Sequence, residues 1–456
     1  MTEQNAGKAL VIGLDGVPHS LIEAYVSLGY LPEIKKILAS GMELKRIEAS
    51  IPDVSSTSWA SFMTGVNPGE HGIYGFMDLE PGSYRLRFPN YNDVMAPSIW
   101  DITGLTAGAR TSTLYRKYRD RFRRPLRSIV LNIPQTYPAR TINGVMTAGF
   151  VCPDLRKGTY PESAYQFLRS IGYLSDVDSD KATGDKDAFF EEIDRALDRR
   201  VMAYRHFFVN EPWDTFICAV TETDRLHHFF YDAALDGAHP LHERFVSFYG
   251  RLDHFIGEMF HRFMGATRGS GLFMTMSDHG FCGIDSTFNV NAWLEKAGYL
   301  KKRAAEYFEM VECGTAAFAM EPARVYVNAA GRYPRGAVGP EKRDSVVEEL
   351  TGALMSLKSP GGRPVIKSVY RGSRIYSGQC SEEAPDIVAV AAEGFDLKAG
   401  LRSTDIYSTG HFKGMHTQDD AHCMASAGFK APGRGIESLA DGILEHLCRA
   451  SGLGGA

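Results

Sequence analysis

Little in this 456-residue chain is extreme, and each missing extreme removes a class of protein. The formal net charge is only −5, from 50 basic and 55 acidic side chains, so there is no basic field to hold a nucleic acid polymer. Seven cysteines are scattered along the chain (152, 218, 282, 313, 380, 423, 448), odd in number and without a CxxC pair. That spacing reads as reduced thiols and not as a disulfide framework. No apolar run approaches the ~18 residues of a membrane span. Met1–Asn5 has no basic segment ahead of an apolar one, which argues against a signal peptide. Internal repeats and low-complexity tracts are also missing, and only the tail, Ser451–Ala456, is expected to fray. The expectation is a cytoplasmic protein that meets neither a membrane nor a nucleic acid polymer.

What the chain does have is three apolar runs that end in aspartate. Ala9–Leu14 leads into Asp15, Phe216–Val220 into Thr221-Glu222-Thr223-Asp224, and Leu272–Met276 into Ser277-Asp278-His279-Gly280. Short apolar runs closed by polar and glycine residues read as buried strands of a parallel sheet. Helical periodicity fills the gaps, over Leu21–Ala39, Asp185–Phe208 and His242–Phe263. Strand and helix in alternation predict an α/β fold, a doubly wound and mostly parallel central sheet with helices on both faces. After Gly280 the alternation lapses until His411–His416. We therefore expect a catalytic core of residues 1–284 and 401–450, cap elements within about 80–185, and an inserted α+β cap over 285–400.

In open α/β sheets ligands bind beyond the carboxyl ends of the strands. Three carboxylates at that edge would repel one another unless cations lie between them. Asp224 and His228 are one helical turn apart and face the same side, with His227 turned elsewhere. Asp278 and His279 are adjacent at a strand end, where a turn through Gly280 brings both to one pocket. One more histidine is needed, with His416 in Gly414-Met415-His416 preferred and His411 its competitor. So many nitrogen and oxygen donors exceed one tetrahedral zinc and suit two metals. Between the first two of these runs lies Ser55-Ser56-Thr57-Ser58-Trp59, hydroxyls at an expected helix start, where free amides and nearby metals favour a nucleophile.

These segments, with Thr64-Gly65-Val66-Asn67-Pro68-Gly69-Glu70-His71-Gly72, Val325-Tyr326-Val327-Asn328 and Glu383-Ala384-Pro385-Asp386, together resemble the alkaline phosphatase superfamily. The branch is that of type I phosphodiesterases and nucleotide pyrophosphatases, and the resemblance is weakest over 80–185. It implies one metal held by Asp224, His228 and His416 and a second by Asp15, Asp278 and His279, with the nucleophile's oxygen as a further ligand. Counting back from Thr64-Gly65 as the family pattern requires reaches Ser55, although a proline usual two residues later is Thr57 here. Ser56 and Thr57 therefore stay as alternatives. Several relatives use an asparagine to hold the phosphoryl oxygen where this chain has Phe76, and Asn92 or Asn90 is the substitute suggested. His71 lies outside the implied ligand set and reads as structural.

The implied reaction is hydrolysis of a phosphodiester or nucleotide pyrophosphate through a phosphoseryl intermediate, with two divalent ions, zinc first and manganese second. The substrate would be a small, nucleotide-like phosphate ester. No basic residue lies between Ser55 and Thr64, which disfavours a dianionic monoester. The rivals are a phosphomonoesterase or phosphomutase on the same scaffold, and an inactive metal-stabilised binding protein. The basic stretch Arg116–Arg127 reads either as a solvated face or as a grip for an anionic substrate or a partner subunit.

Overall fold

The computed structural model describes residues 7–179 and 181–449, so Met1–Asn5 and the Ser451–Ala456 tail fall outside the described residues. Its centre is an eight-stranded sheet. Across it the strands run Met42–Ile47, Ala421–Ser426, Leu272–Met276, Ala9–Leu14, Thr215–Val220, Ser128–Ile133, Gly144–Ala148 and Thr159–Tyr160. The five from Leu272–Met276 to Gly144–Ala148 are mutually parallel, and the outer strands add antiparallel. The Ala9–Leu14 strand is buried on both sides: Leu10 and Ile12 enter one apolar cluster while Ala9 and Val11 enter another. Helices cover each face, as a strand alternating between two buried sides requires. This is the expected α/β architecture, with a more mixed sheet than parallel connections alone predict.

Two sequence expectations change. Leu21–Ala39 is not one helix but two, His19–Leu28 and Pro32–Ala39. Gly29 takes φ 82° and closes the first, and Pro32 then starts the second, where a missing N–H costs nothing. Residues 80–185 carry more than cap elements, since they supply three strands of the central sheet. Ser128–Ile133 and Gly144–Ala148 are buried at every residue although Ser128, Asn132 and Thr147 interrupt their apolar sequence, as befits interior parallel strands.

A separate antiparallel sheet is built from Ala317–Met320, Arg324–Val327, Ile387–Ala391 and Ile366–Arg371, with the Pro340–Met355 helix against it and an apolar cluster around it. A ribbon joins it to the core. Gly280–Asn289 pairs with Gly394–Lys398 at its far end and with Gly414–Thr417 at its near end.

The basic stretch is tied to the protein's own acids. Lys117 bonds Asp441 at 2.6 Å, Arg121 reaches Glu445 at 2.7 Å, Arg124 reaches Asp214 at 3.1 Å and Arg127 reaches Glu211 at 2.9 Å. Tyr118 adds hydrogen bonds to Asp441 and Glu445. The stretch thus fastens the Ser438–Cys448 helix and the end of the Lys186–Asn210 helix. Replacing Arg123 and Arg124 with Ala should leave KM for an anionic ester unchanged. The stability cost should stay below about 1 kcal/mol, as for exposed ion pairs. Steady-state kinetics and thermal melts on the double variant check both.

Candidate active site

Each predicted aspartate stands just beyond the carboxyl end of its strand, directly for Asp15, two residues on for Asp278 and in the following helix for Asp224. Asp15 follows Ala9–Leu14, and its backbone is held from two sides: Thr223 Oγ1 donates to its carbonyl at 2.6 Å, and its own N–H donates to Val220. Gly13 and Gly16 are dictated by close approach. A Cβ on Gly13 would lie 2.2 Å from the Trp59 ring, and Trp59 Nε1 donates to Asp15 Oδ2 at 3.0 Å. Gly16 turns the chain at φ 67° and offers its amide to Asp278 Oδ1 at 3.0 Å, beside the His279 ring. Asp224 and His228 lie on the Glu222–Phe230 helix. His227 indeed points away, its Nδ1 2.9 Å from the Gly16 carbonyl and its Nε2 2.7 Å from the Tyr249 hydroxyl.

His416 enters by strand register, opposite Phe281 in the pairing that follows His279. Its Nδ1 donates to the Asp53 carbonyl at 2.8 Å, leaving Nε2 facing inward, 3.3 Å from Asp224 Oδ1 and 3.1 Å from His228 Nε2. His411 is exposed, so the competition between the two histidines ends with His416.

The donors converge in two overlapping groups. Asp15, Asp278 and His279 form one and Asp224, His279 and His416 the other, with their donor atoms within 4.8 Å of one another in each. His228 Nε2 lies 3.4 Å from Asp224 Oδ1 and so borders the second. Buried Asp224 Oδ1 and Asp278 Oδ2 receive no well-directed hydrogen bond; what stands near them are imidazole nitrogens, His416 and His228 at 3.3 and 3.4 Å from the first and His279 at 3.3 Å from the second. A buried carboxylate oxygen so poorly satisfied is costly, and these oxygens are the atoms cations would take. Burial, then the neighbouring Asp278 and Asp224 charges, push the Asp15 carboxyl well above its ordinary range. Asp278 is pushed up to about 7, chiefly by burial. Burial pulls Asp224 the same way, but the His228 and His416 rings outweigh it and hold it below the usual carboxylate range. Burial keeps the His228 ring neutral, at about 3, and holds His279 well below its ordinary range. Neutral imidazoles and crowded carboxylates are the donor chemistry of a divalent metal pair.

Ser55 opens the Ser55–Thr64 helix, which is buried throughout. The N-cap is Val54, so the serines do not cap as their residue types suggest. Ser55 Oγ lies 3.1 Å from His279 Nε2 and 3.4 Å from Asp15 Oδ1. Ser56 Oγ and Thr57 Oγ1 are buried without a hydrogen-bond partner, so Ser55 is the hydroxyl that reaches the cluster. His71 accepts from the Ile73 amide and pairs with Ser61, which holds the loop after this helix. Asn92 sits exposed on a short turn, and Asn90 caps that turn, so neither is brought to the cluster.

Beside His228 and His416 opens a cavity of about 450 Å³. Phe76, Met77 and Phe412 give it apolar walls, and Pro322, Leu397 and Lys398 close it from the inserted segment. One neighbour the sequence reading missed is Arg225, whose Nη1 is 3.4 Å from Asp224 Oδ2. Its place next to a predicted ligand was the available signal.

A family model described as type I phosphodiesterase / nucleotide pyrophosphatase matches residues 9–419. The chain belongs to that family. It is a hydrolase of the phosphodiesterase and pyrophosphatase kind. Among solved structures it is similar to phosphonoacetate hydrolase from Sinorhizobium meliloti 1021 in complex with phosphonoformate, at 16% identity and TM-score 0.60, covering 97% of this chain and 95% of that one. Murine ectonucleotide pyrophosphatase / phosphodiesterase 5 is similar at 15% identity and TM-score 0.53, with the same coverage, and the human protein at 16% and 0.51. At these identities the likeness is one of fold. No curated protein matches the sequence. Among the described residues no helix is long and apolar enough to cross a membrane.

Proposed function

We propose that this family member hydrolyses a phosphodiester or nucleotide pyrophosphate bond by way of a phosphoseryl intermediate on Ser55, at a centre of two divalent ions. Asp224, His228 and His416 would hold one ion, and Asp15, Asp278 and His279 the other, joined by the Ser55 oxygen. Zinc suits this mixture of imidazole and carboxylate best, with manganese as the alternative. When bound, the ions supply charge neutralisation and favour the ionised serine hydroxyl. The observation that carries the reading is the convergence of Ser55 Oγ with three buried carboxylates, two of which have an oxygen without a well-directed hydrogen bond.

The chain's own part is positioning and exclusion of water. Ser55 Oγ is fixed by His279 and Asp15 and by its place in a buried helix. The amides of Ser55 and Ser56 precede the first helical hydrogen bonds, which Thr57 and Ser58 give to Val54, and so face an anion at the helix start. Attack by Ser55 on phosphorus expels the alcohol or nucleoside phosphate in line, and water then attacks the phosphoserine to regenerate the hydroxyl. The cavity beside His228 and His416 would take the leaving group, which gives the segment 285–400 the choice of substrate. AMP bound to an inactive form of murine ectonucleotide pyrophosphatase / phosphodiesterase 5 makes a nucleotide-like leaving or transferred group the first to try.

The test compares kcat/KM of the zinc-loaded protein for a nitrophenyl phosphodiester and its matching monoester. A strong preference for the diester is the expected result. A preference for the monoester would replace this reading with a phosphatase or phosphomutase, and inertness toward both would leave a binding protein.

A further inference from the structure

We infer that Asp176 sets the charge preference of this site by neutralising Arg225, and so directs it toward singly charged phosphate esters. The inference rests on the phosphate-ester reading above and names the residue that selects among such esters.

Arg225 is the cation in contact with the cluster, while Lys398 of the cavity wall pairs with Asp396 at 3.2 Å. Arg225 follows Asp224 in the chain, its Nη1 is 3.4 Å from Asp224 Oδ2, and it acts electrostatically on Asp15 as well. Asp224 therefore stands between the guanidinium on one oxygen and His228 and His416 on the other. The Phe150 ring lies under the guanidinium, 4.7 Å away, and contacts Phe76 of the cavity wall at 5.6 Å. A free arginine here would add a full positive charge beside the phosphoryl group. Three carboxylates against two divalent ions leave a surplus of one positive charge before Ser55 ionises, enough for a diester monoanion. An unmasked Arg225 would extend that to a monoester dianion.

Asp176 removes the extra charge. Its two oxygens take Arg225 Nε at 3.1 Å and Nη2 at 2.8 Å, the parallel fork of a bidentate pair. Asp176 belongs to a different part of the chain, and its segment is itself fastened. Arg200, fully buried and paired with Glu222, donates to the Tyr173 hydroxyl and to the Leu174 carbonyl, and Ser175 Oγ donates to the Cys152 carbonyl. The carboxylate is thus delivered to Arg225 by a rigid strap, which is what a fixed charge balance needs.

The experiment measures the kcat/KM ratio of monoester to diester, and the Kd of inorganic phosphate at about pH 8, for zinc-loaded wild type, Asp176→Asn, Asp176→Ser and Asp176→Glu. Inorganic phosphate is mainly dianionic there, so its binding reads the charge without turnover. Both neutral variants should raise the ratio about tenfold and tighten phosphate binding by a similar factor. Asp176→Glu should keep the wild-type values, and adding Arg225→Gln to Asp176→Asn should abolish the gain. A ratio and a Kd within twofold of wild type in the folded neutral variants would overturn the inference, as would a gain that survives loss of Arg225. Should wild type cleave neither ester, the esterase reading falls while the phosphate titrations still decide the role of Asp176.

Discussion

Ser55→Ala is expected to lower kcat for a phosphodiester by about four orders of magnitude or more, because groups that act as a covalent unit lose most of their effect together. The variant removes one buried oxygen that bonds only into the cluster, to His279 and Asp15, and leaves the apolar contacts of its helix in place. Its melting temperature should therefore stay close to wild type, which separates a chemical loss from a folding loss. Neighbouring hydroxyls cannot substitute readily. Ser56 and Thr57 are buried on the same helix, and one or two residues of helical rotation carry their side chains around the axis, away from the direction of Ser55. Rapid-quench detection of a phosphorylated protein in wild type and its loss in the variant is the direct measurement. Retention of more than about a hundredth of kcat would transfer the nucleophile to one of those neighbours or to water.

Removal of divalent ions should abolish turnover and also change how stability depends on pH. In the ion-free protein Asp278 keeps its proton up to about 7, and Asp15 is likewise raised, whereas unfolded carboxyls ionise near about 4. Over that window these two carboxyls make stability fall as pH rises, whereas His228 and His279, neutral in the fold but protonated up to about 6.5 when unfolded, make it rise, so the ion-free protein's own pH dependence is a balance of the two. Ions bind the ionised carboxylates, so fewer protons oppose them as pH rises, and the raised His416 acts in the same direction. The gap in melting temperature between zinc-loaded and ion-free protein should therefore widen from about pH 5 to about pH 7. At a free-ion concentration a thousand times the Kd, the stabilisation reaches about 4 kcal/mol. Calorimetry across that range makes the measurement. A gap that stays flat or narrows would show that the buried carboxylates are not where the ions bind.

Much of the fold and of the candidate site is written locally. An apolar run long enough for one buried strand, closed by aspartate, specifies both a strand and what stands at its carboxyl end. That is why Asp15, Asp224 and Asp278 could be named before any contact was known. Asp224 and His228 share a face because a helix turn spaces them so, and that too is local. The order of these segments carried the family resemblance, which the match over residues 9–419 supports. Non-local pairing decided the rest. His416 prevails over His411 because antiparallel register places it opposite Phe281, and register depends on a partner strand more than a hundred residues away. The interior strands within 80–185 were hidden because Ser128, Asn132 (at φ 62°) and Thr147 interrupt their apolar pattern, and such broken runs acquire a place in a sheet only from their neighbours. The arginines of 116–127 read as a charged surface until Asp441, Glu445, Asp214 and Glu211 arrive from other elements to meet them. Asp176 had no signal at all, since a carboxylate's role is set by the cation that folding brings to it. The sequence by itself determined which chemistry-bearing residues end the strands. Only the tertiary structure decided which distant groups complete the centre and which charges beside it are cancelled, because electrostatic interaction depends on distance in space and not along the chain.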